Sequence, residues 1–258
     1  MHINEANLTN LTGLWKKYGS SAGATLPSVY SSPQWPYRSW VEWSGEKLTT
    51  GMHKQVGDFS WLNNLPETAI LPVWKISDAS EFDVSTSLKS LDIENHLIKN
   101  NWRCSFKQLA MYLELQTAVS YLPLPRQGFV MTRVSSLHDV KTWVDIASDA
   151  FNYMIDRAVI DALLGDDDIQ LLLGWQDELP VCCALLFKTG EFIGIHQVGV
   201  KRGFQGQGIA RYLMLYLLDK CIQWQGKYAV LQASHLGQSL YESLGFKAQF
   251  HIKNYQKA

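Results

Sequence analysis

The sequence predicts an α+β protein: a mixed α/β sheet flanked by helices in the C-terminal half, with an N-terminal companion domain. Three observations lead there. From residue 129 onward the apolar residues switch repeatedly between the two-residue period of strands and the 3.6-residue period of helices. Pro123 and Pro125 bracket a short, stiff connector where the texture of the chain changes, which sets the expected domains at 1–126 and 127–258. The composition is that of an ordinary folded chain, 47% apolar and 18% charged over 258 residues, enough for two modest cores or one large one.

In the first half, which holds seven of the ten tryptophans, Gly, Ser and Pro interrupt any period between Ser20 and Pro36. Ile70 to Ile76 reads as a strand, with Pro72 marking an edge or a bulge. Leu88, Leu91, Ile93 and Leu97 suggest a helix ending at Asn100-Asn101. Gln108 to Leu115 reads as a strand or a short helix, with Met111, Leu113 and Leu115 alternating.

The second half is more regular. Phe129 to Val134 reads as a strand; Ser136 then opens a helix, with Asp139 completing a capping-box pattern. Val140, Trp143, Val144, Ala147 and Phe151 share one helical face. A second helix over Ile155 to Ala162 stops at Gly165. Strands over Ile169 to Trp175, Val181 to Phe187 and Phe192 to Val200 are separated by turns at Gln176-Asp177-Glu178 and Thr189-Gly190. A long helix runs from Gly208 to about Trp224. A strand over Tyr228 to Gln232, a short helix over Leu236 to Leu244 and a last strand after Phe246 complete the chain. The order is strand, two helices, three strands, helix, strand, helix, strand.

Charge excludes some partners. Residues 1–126 carry 11 basic and 11 acidic side chains, and residues 127–258 carry 12 and 13, so neither half has an electrostatic case for nucleic acid or an anionic membrane. No apolar run approaches the roughly 20 residues that span a bilayer. The start Met1-His2-Ile3-Asn4-Glu5 has no basic flank or signal core. Cys104, Cys182, Cys183 and Cys221 lack CxxC spacing, so reduced, buried thiols are expected in a cytoplasmic protein, with no zinc site and no disulfide frame. On a strand Cys182 and Cys183 would point to opposite faces.

The segment that carries chemistry is Val198-Gly199-Val200-Lys201-Arg202-Gly203-Phe204-Gln205-Gly206-Gln207-Gly208-Ile209-Ala210. A strand runs into a glycine-rich loop that opens a long helix. Such a junction presents unpaired N–H groups and the positive end of a helix dipole to one spot, and glycines let a pyrophosphate approach closely. A glycine turn feeding a core helix would read the same way. A P-loop is excluded, because Ile209-Ala210 stands where Lys then Ser or Thr is needed; a Rossmann fingerprint from Gly206 is excluded by Arg211.

The segment resembles the GCN5-related N-acetyltransferase (GNAT) family. Gln205-x-x-Gly208-x-Ala210 fits that family's Gln/Arg-x-x-Gly-x-Gly/Ala signature. A second block, Ala233-Ser234-x-x-Gly237-x-x-Leu240-Tyr241-x-x-Leu244-Gly245-Phe246, follows one helix and one strand downstream, where the family places it. The resemblance covers roughly residues 128–258 and implies a centrally splayed sheet and transfer of an acetyl group from acetyl-CoA to a primary amine. It implies that the backbones of Gln205, Gly206, Gln207, Gly208, Ile209 and Ala210 cradle the CoA pyrophosphate. It implies that Val198 and Val200 bind pantetheine and the thioester carbonyl through their backbones, and that Tyr241 protonates the departing thiolate.

The family often uses an acidic residue on the strand before the loop as general base, and none stands between Glu191 and the loop. His196 alternates with Val198 and Val200, so a shared face and a role as base are expected, with water or a purely structural histidine as alternatives. His235 reads as a loop residue, and Asp166-Asp167-Asp168 as a solvated charge run; no metal is expected. The acceptor would be a small-molecule or peptide amine, and a homodimer is left open. A non-catalytic acyl-CoA sensor or interaction protein is the rival reading. For the first half, residues Leu97 to Trp102 followed by Met111 to Leu115 loosely echo the last helix and strand of the same fold, which suggests a degenerate GNAT-like copy; an unrelated α+β extension is the alternative. Its aromatic segment Ser32 to Trp43 would wall the acceptor site or simply form core.

Overall fold

A computed structural model describes residues 2–24, 28–41, 59–75, 93–116, 121, 123–124 and 126–258. The chain forms two compact units, and neither follows the single boundary expected at residue 126. The first comprises Met1–Leu14 with Met111–Ala248, the second Trp15–Ala110 with Gln249–Ala258. Because the cuts fall inside long helical and extended segments, no local composition change marks them.

The first unit begins with helix α1 (Ile3–Lys17, of which it takes Ile3–Leu14) and the end of a long strand, β5 (Trp102–Glu114). It continues through β6 (Phe129–Arg133), α3 (Leu137–Phe151), α4 (Arg157–Asp161), β7 (Ile169–Gln176), β8 (Leu179–Thr189), β9 (Phe192–Val200), α5 (Ile209–Gln223), β10 (Tyr228–Ala233) and α6 (Gln238–Ser243) into β11 (Lys247–Lys257). That is the element order expected from periodicity. Strands β5, β10, β9, β8, β7 and β6 lie side by side in that order. β6 through β9 are antiparallel neighbours, whereas β9 and β10 run parallel.

Local chemistry explains these elements. Ser136 accepts from the Asp139 N–H while the Asp139 carboxylate accepts from the Ser136 N–H, a complete capping box that starts α3. Hydrogen bonds from the Ser135 N–H, first, and from Ser136 hold the Asp139 carboxyl below the usual carboxylate range. Val140, Trp143, Val144, Ile146 and Ala147 bury the inner face of α3, and the Trp143 indole donates to the Ala184 carbonyl at 3.0 Å. The turn between β7 and β8 takes positive φ at both Asp177 (49°) and Glu178 (67°), the geometry that matches strand twist in a two-residue hairpin. Ile209, Leu213, Met214, Leu217, Leu218 and Cys221 bury one side of α5. Cys182 and Cys183 are buried on opposite faces of β8, Cys221 is buried in α5, and Cys104 corrects the expectation of buried thiols by lying exposed.

The second unit contains a three-stranded antiparallel sheet, β1 (Ser21–Ala22), β2 (Val29–Ser31) and β3 (Ser39–Val41). It also contains a 3₁₀ turn at Ser60–Asn64, strand β4 (Leu71–Trp74) and a helix α2 whose described residues are 93–99. Pro72 sits on β4, which among the described residues pairs with β11 alone and so forms the expected edge. Trp61, Leu71, Leu97, Trp102 and Tyr255 anchor its core. Trp40 is buried, stacked on Tyr30 and tilted against Trp15 at 5.1 Å each. Trp43 and the first part of the expected helix from Leu88 lie outside the described residues. The segment left as strand or helix, Gln108 to Leu115, is strand.

Ser136→Ala removes one half of the capping box and is expected to lower stability by about 1 kcal/mol. A lower urea midpoint at unchanged slope would register it.

Candidate functional site

The site starts from a fork between two strands. β9 and β10 pair only over Phe192↔Tyr228, Ile193↔Ala229 and Gly194↔Val230, although β9 continues to Val200 and β10 to Ala233. On the other side of β9, Leu185 opposes His196 and Cys183 opposes Gly199, so both Gln197 and Val198 oppose Ala184. This is a β-bulge, and Gln197 adopts the left-handed conformation at φ 50°. A bulge bends its strand, here away from β10. The peptide groups of β9 beyond Gly194 that face the fork therefore lack a strand partner and can serve an extended ligand instead.

The loop that follows is fixed from both ends. Lys201 N–H donates to the Val181 carbonyl at 2.9 Å, and a 3₁₀ turn spans Arg202–Phe204. The Gln205 amide reaches back to the Val200 carbonyl at 3.1 Å. Arg202 holds the C-terminal end of α3: its N–H donates to the Asp149 carboxylate, and its guanidinium donates to the Asp149 carbonyl and to Asn152 Oδ1. Arg126 braces the other side, donating to the Gln207 carbonyl at 2.8 Å and to Gln176 Oε1 at 3.0 Å.

Within this frame Gly206 (φ 75°) and Gly208 (φ 78°) take conformations that favour glycine. Gly208 caps α5 with no side chain to satisfy the first turn. Among the described residues, none accepts from the N–H groups of Gly206, Gln207, Gly208, Ile209, Ala210 or Arg211. A Cβ built on Gly206 or Gly208 would meet nothing within 4 Å, so the loop borders open space at both positions. Six free donors, a helix N-terminus and the nearby guanidinium of Arg126 make an anion site.

Tyr241 lies on α6, which follows β10. β9 and β10 are parallel, so the glycine loop and the start of α6 emerge at the same end of the sheet. The Arg211 guanidinium, in the first turn of α5, donates to Ser243 Oγ at 2.8 Å and ties the two together. The Tyr241 ring packs edge-on to Phe246 at 5.9 Å. It fits because residue 237 is glycine, where a Cβ would stand 2.9 Å from the ring. Burial pushes the phenol up to about 12, so at neutral pH it is a proton donor.

The structure does not bring His196 to this group. Because of the extra residue at the bulge, His196 shares a face with Leu185 and Gly199, while Val198 and Val200 turn to the face of Cys182 and α5. The alternation expected from spacing fails at Gln197. His196 is buried, its Nε2 lies 2.9 Å from Asn10 Oδ1, and burial lowers its pKa to about 3. A neutral, enclosed imidazole on the far face is not placed to take a proton from an amine. His235 is exposed on the loop before α6, as expected. Asp166 accepts from the Asp168 N–H and shapes the turn into β7; among the described residues no group of three His, Cys, Asp or Glu could hold a metal ion.

Sequence reasoning missed Arg126, treated as a boundary residue, and the Arg202–Asp149–Asn152 anchor, whose partners lie about 50 residues away. It also missed Asn7 and Asn10, ordinary polar residues of a helix until their burial is seen. Only the bulge had no signal at all, since nothing marks Gln197 for positive φ.

The unfolded imidazole of His196 titrates near 6.5 and the folded one near 3. Between those values the unfolded chain holds a proton that the folded chain rejects. Stability is therefore full above pH 6.5 and falls as pH is lowered, by up to about 1.4 kcal/mol per unit. Urea unfolding at pH 7 and pH 5 should show a larger loss for the native chain than for His196→Gln; equal losses would contradict it.

Residues 140–246 match the acetyltransferase (GNAT) family. Among curated proteins no sequence matches the chain. A GCN5-related N-acetyltransferase from Kribbella flavida is structurally similar at TM-score 0.68 and 14% identity, over 100% of this chain and 96% of that one. A GCN5-related N-acetyltransferase from Sphaerobacter thermophilus is similar at TM-score 0.61 and 14% identity, over 89% and 76%. A tandem GNAT protein from the clavulanic acid biosynthesis pathway is similar at TM-score 0.59 and 10% identity, over 84% and 74%. At these identities the structural likeness speaks for the fold, the α+β mixed sheet of GNAT acyltransferases. The chain carries, over residues 140–246, an acetyltransferase domain of the GNAT family.

Proposed function

We propose that this protein is an acetyl-CoA-dependent N-acetyltransferase acting on a primary amine of a small molecule or peptide. The observation that carries the reading is the set of six free N–H groups, over Gly206 to Arg211, at the mouth of the β9–β10 fork. The backbone of Gln205 to Ala210 would hold the CoA pyrophosphate. The exposed edge of β9 beside Val198 and Val200 would pair with the amide-bearing pantetheine arm as a strand does, and a β9 N–H would polarise the thioester carbonyl. A neutral amine attacks that carbon; its N–C bond forms as the C–S bond breaks. Tyr241 gives its proton to the leaving sulfur and regains one from solvent. With His196 enclosed and no carboxylate on β9, solvent water takes the amine proton.

The same missing base favours a second reading, a non-catalytic acyl-CoA sensor. The even charge distribution fits an acceptor other than nucleic acid or membrane, and the unpaired cysteines fit the cytoplasm. The second unit we take as a degenerate GNAT-like copy: α2 followed by β5 has the order of the fold's last helix and strand, and the likeness to a tandem GNAT protein supports it.

Calorimetric titration should show acetyl-CoA and CoA binding with micromolar affinity while ATP and NADH stay silent; no binding of either CoA species would sink the reading. Tyr241→Phe should lower kcat about tenfold or more with little change in the KM for acetyl-CoA. Tight CoA binding with no thiol release over a broad amine panel would favour the sensor. Gly208→Val, which forces a β-branched residue into positive φ and places its methyls before the free N–H groups, should weaken CoA binding about tenfold or more.

A further inference from the structure

Helix α1 sits on the fork, and two of its side chains grip both prongs. Asn7 and Asn10 are three residues apart and so share one helix face, and they are 1% and 0% exposed. A buried amide is costly unless its donors and acceptor are satisfied, and these are. The Asn10 amide nitrogen donates to the Phe187 carbonyl and to Thr189 Oγ1, each at 2.9 Å. Its oxygen is thereby left to accept, so His196 Nε2 must carry the proton it offers at 2.9 Å. The Asn7 nitrogen donates to the Met111 carbonyl at 3.1 Å, and its oxygen accepts from Gln232 Nε2 at 2.6 Å.

The partners divide between the two sides of the fork: Phe187, Thr189 and His196 stand on β8 and β9, Met111 and Gln232 on β5 and β10. Their level is equally specific. The last paired rung is Gly194↔Val230, and His196 and Gln232 each lie two residues beyond it. They are the residues that the same register would have placed side by side, about 4.8 Å apart, had pairing continued. Instead each is held by its own asparagine, one helical turn from the other. A second observation agrees: Gly194, at the fork, has no side chain, and a Cβ there would overlap both Asn10 Oδ1 and His196 Nε2. Below the fork, Ala6 and Ile3 pack with Phe192, Val230, Tyr112 and Tyr228, which seats the helix on both strands.

We propose that α1 is a strut across the β9–β10 fork, and that Asn7 and Asn10 are positioning residues that set its opening for the acyl-CoA arm. On this account the N-terminal 14 residues complete the acetyltransferase unit. His196 belongs to the strut and not to the chemistry. The proposal rests on the acyl-CoA reading above, but its geometry can be read without ligand.

Two paired substitutions test it, because replacing both partners of a buried hydrogen bond by apolar groups leaves neither orphaned. Asn7→Leu with Gln232→Leu removes the β10 arm, and Asn10→Leu with His196→Leu removes the β9 arm. Each is measured for acetyl-CoA affinity, for KM and kcat, and for amide hydrogen exchange over residues 195–200 and 231–233. The strut predicts that the acetyl-CoA Kd and KM rise about tenfold, kcat changes less than about threefold, and exchange at the fork quickens while the rest of the sheet keeps its protection. Folded variants with unchanged affinity and unchanged exchange would overturn it. If the native protein binds no CoA, the functional reading fails on its own and the exchange pattern alone decides the strut. Should a double variant not fold, Gln232→Leu alone, at a half-buried position, removes the same arm and must show the same directions.

Discussion

The rest of the first unit depends on one constraint: two parallel strands that start as neighbours must part after three rungs without stranding their peptide groups in the interior. A buried N–H or C=O without a partner costs free energy comparable to a lost hydrogen bond. The fold meets that constraint differently on each edge of β9. Toward β8 the ladder is kept by the bulge at Gln197, which absorbs one residue and lets pairing resume at Gly199↔Cys183. Toward β10 the groups are left open at the edge of the fork, where an extended ligand can replace the missing strand. The bend that opens the fork and the backbone proposed to read the ligand are thus the same feature.

Placement of the anion loop follows from that bend. β9 delivers Val200 into a loop held by Arg202 on one side and Arg126 on the other, and in the proposed site neither guanidinium supplies the principal recognition groups. Those are main-chain N–H groups at the start of α5, whose direction is set by two positive-φ glycines. A site made of backbone is insensitive to which side chains surround it, provided the braces hold it still. Its selectivity comes from the geometry of donors around an anion, together with the length of free strand edge leading away from it.

Burial acts in opposite directions on the two titratable groups expected to be catalytic, Tyr241 from the family resemblance and His196 from its alternation with Val198 and Val200. Desolvation raises the Tyr241 phenol and lowers the His196 imidazole, and both remain neutral at physiological pH. For the phenol, neutrality means a proton to give. For the imidazole, enclosed against α1 with its Nε2 proton committed to Asn10, it means a fixed hydrogen-bond donor in the frame of the fork.

What the sequence determined by itself was local. The capping box at Ser136, the order of elements after residue 129 and the glycine loop opening α5 could be read from short-range spacing, because period, caps and glycine conformations are properties of a few neighbouring residues; the Gly237–Tyr241 block was legible only through its resemblance to the GNAT family. Tertiary structure decided the rest, and the reason is that each such feature joins residues distant in the chain or depends on a backbone state that the residue type does not prefer. The bulge places positive φ on a glutamine and so reverses the face of His196 relative to Val198 and Val200. The strut joins Asn7 and Asn10 to residues more than 100 positions away, and the unit boundaries fall inside continuous elements. An asparagine on a helix carries no mark of being buried until the sheet beneath it is in place.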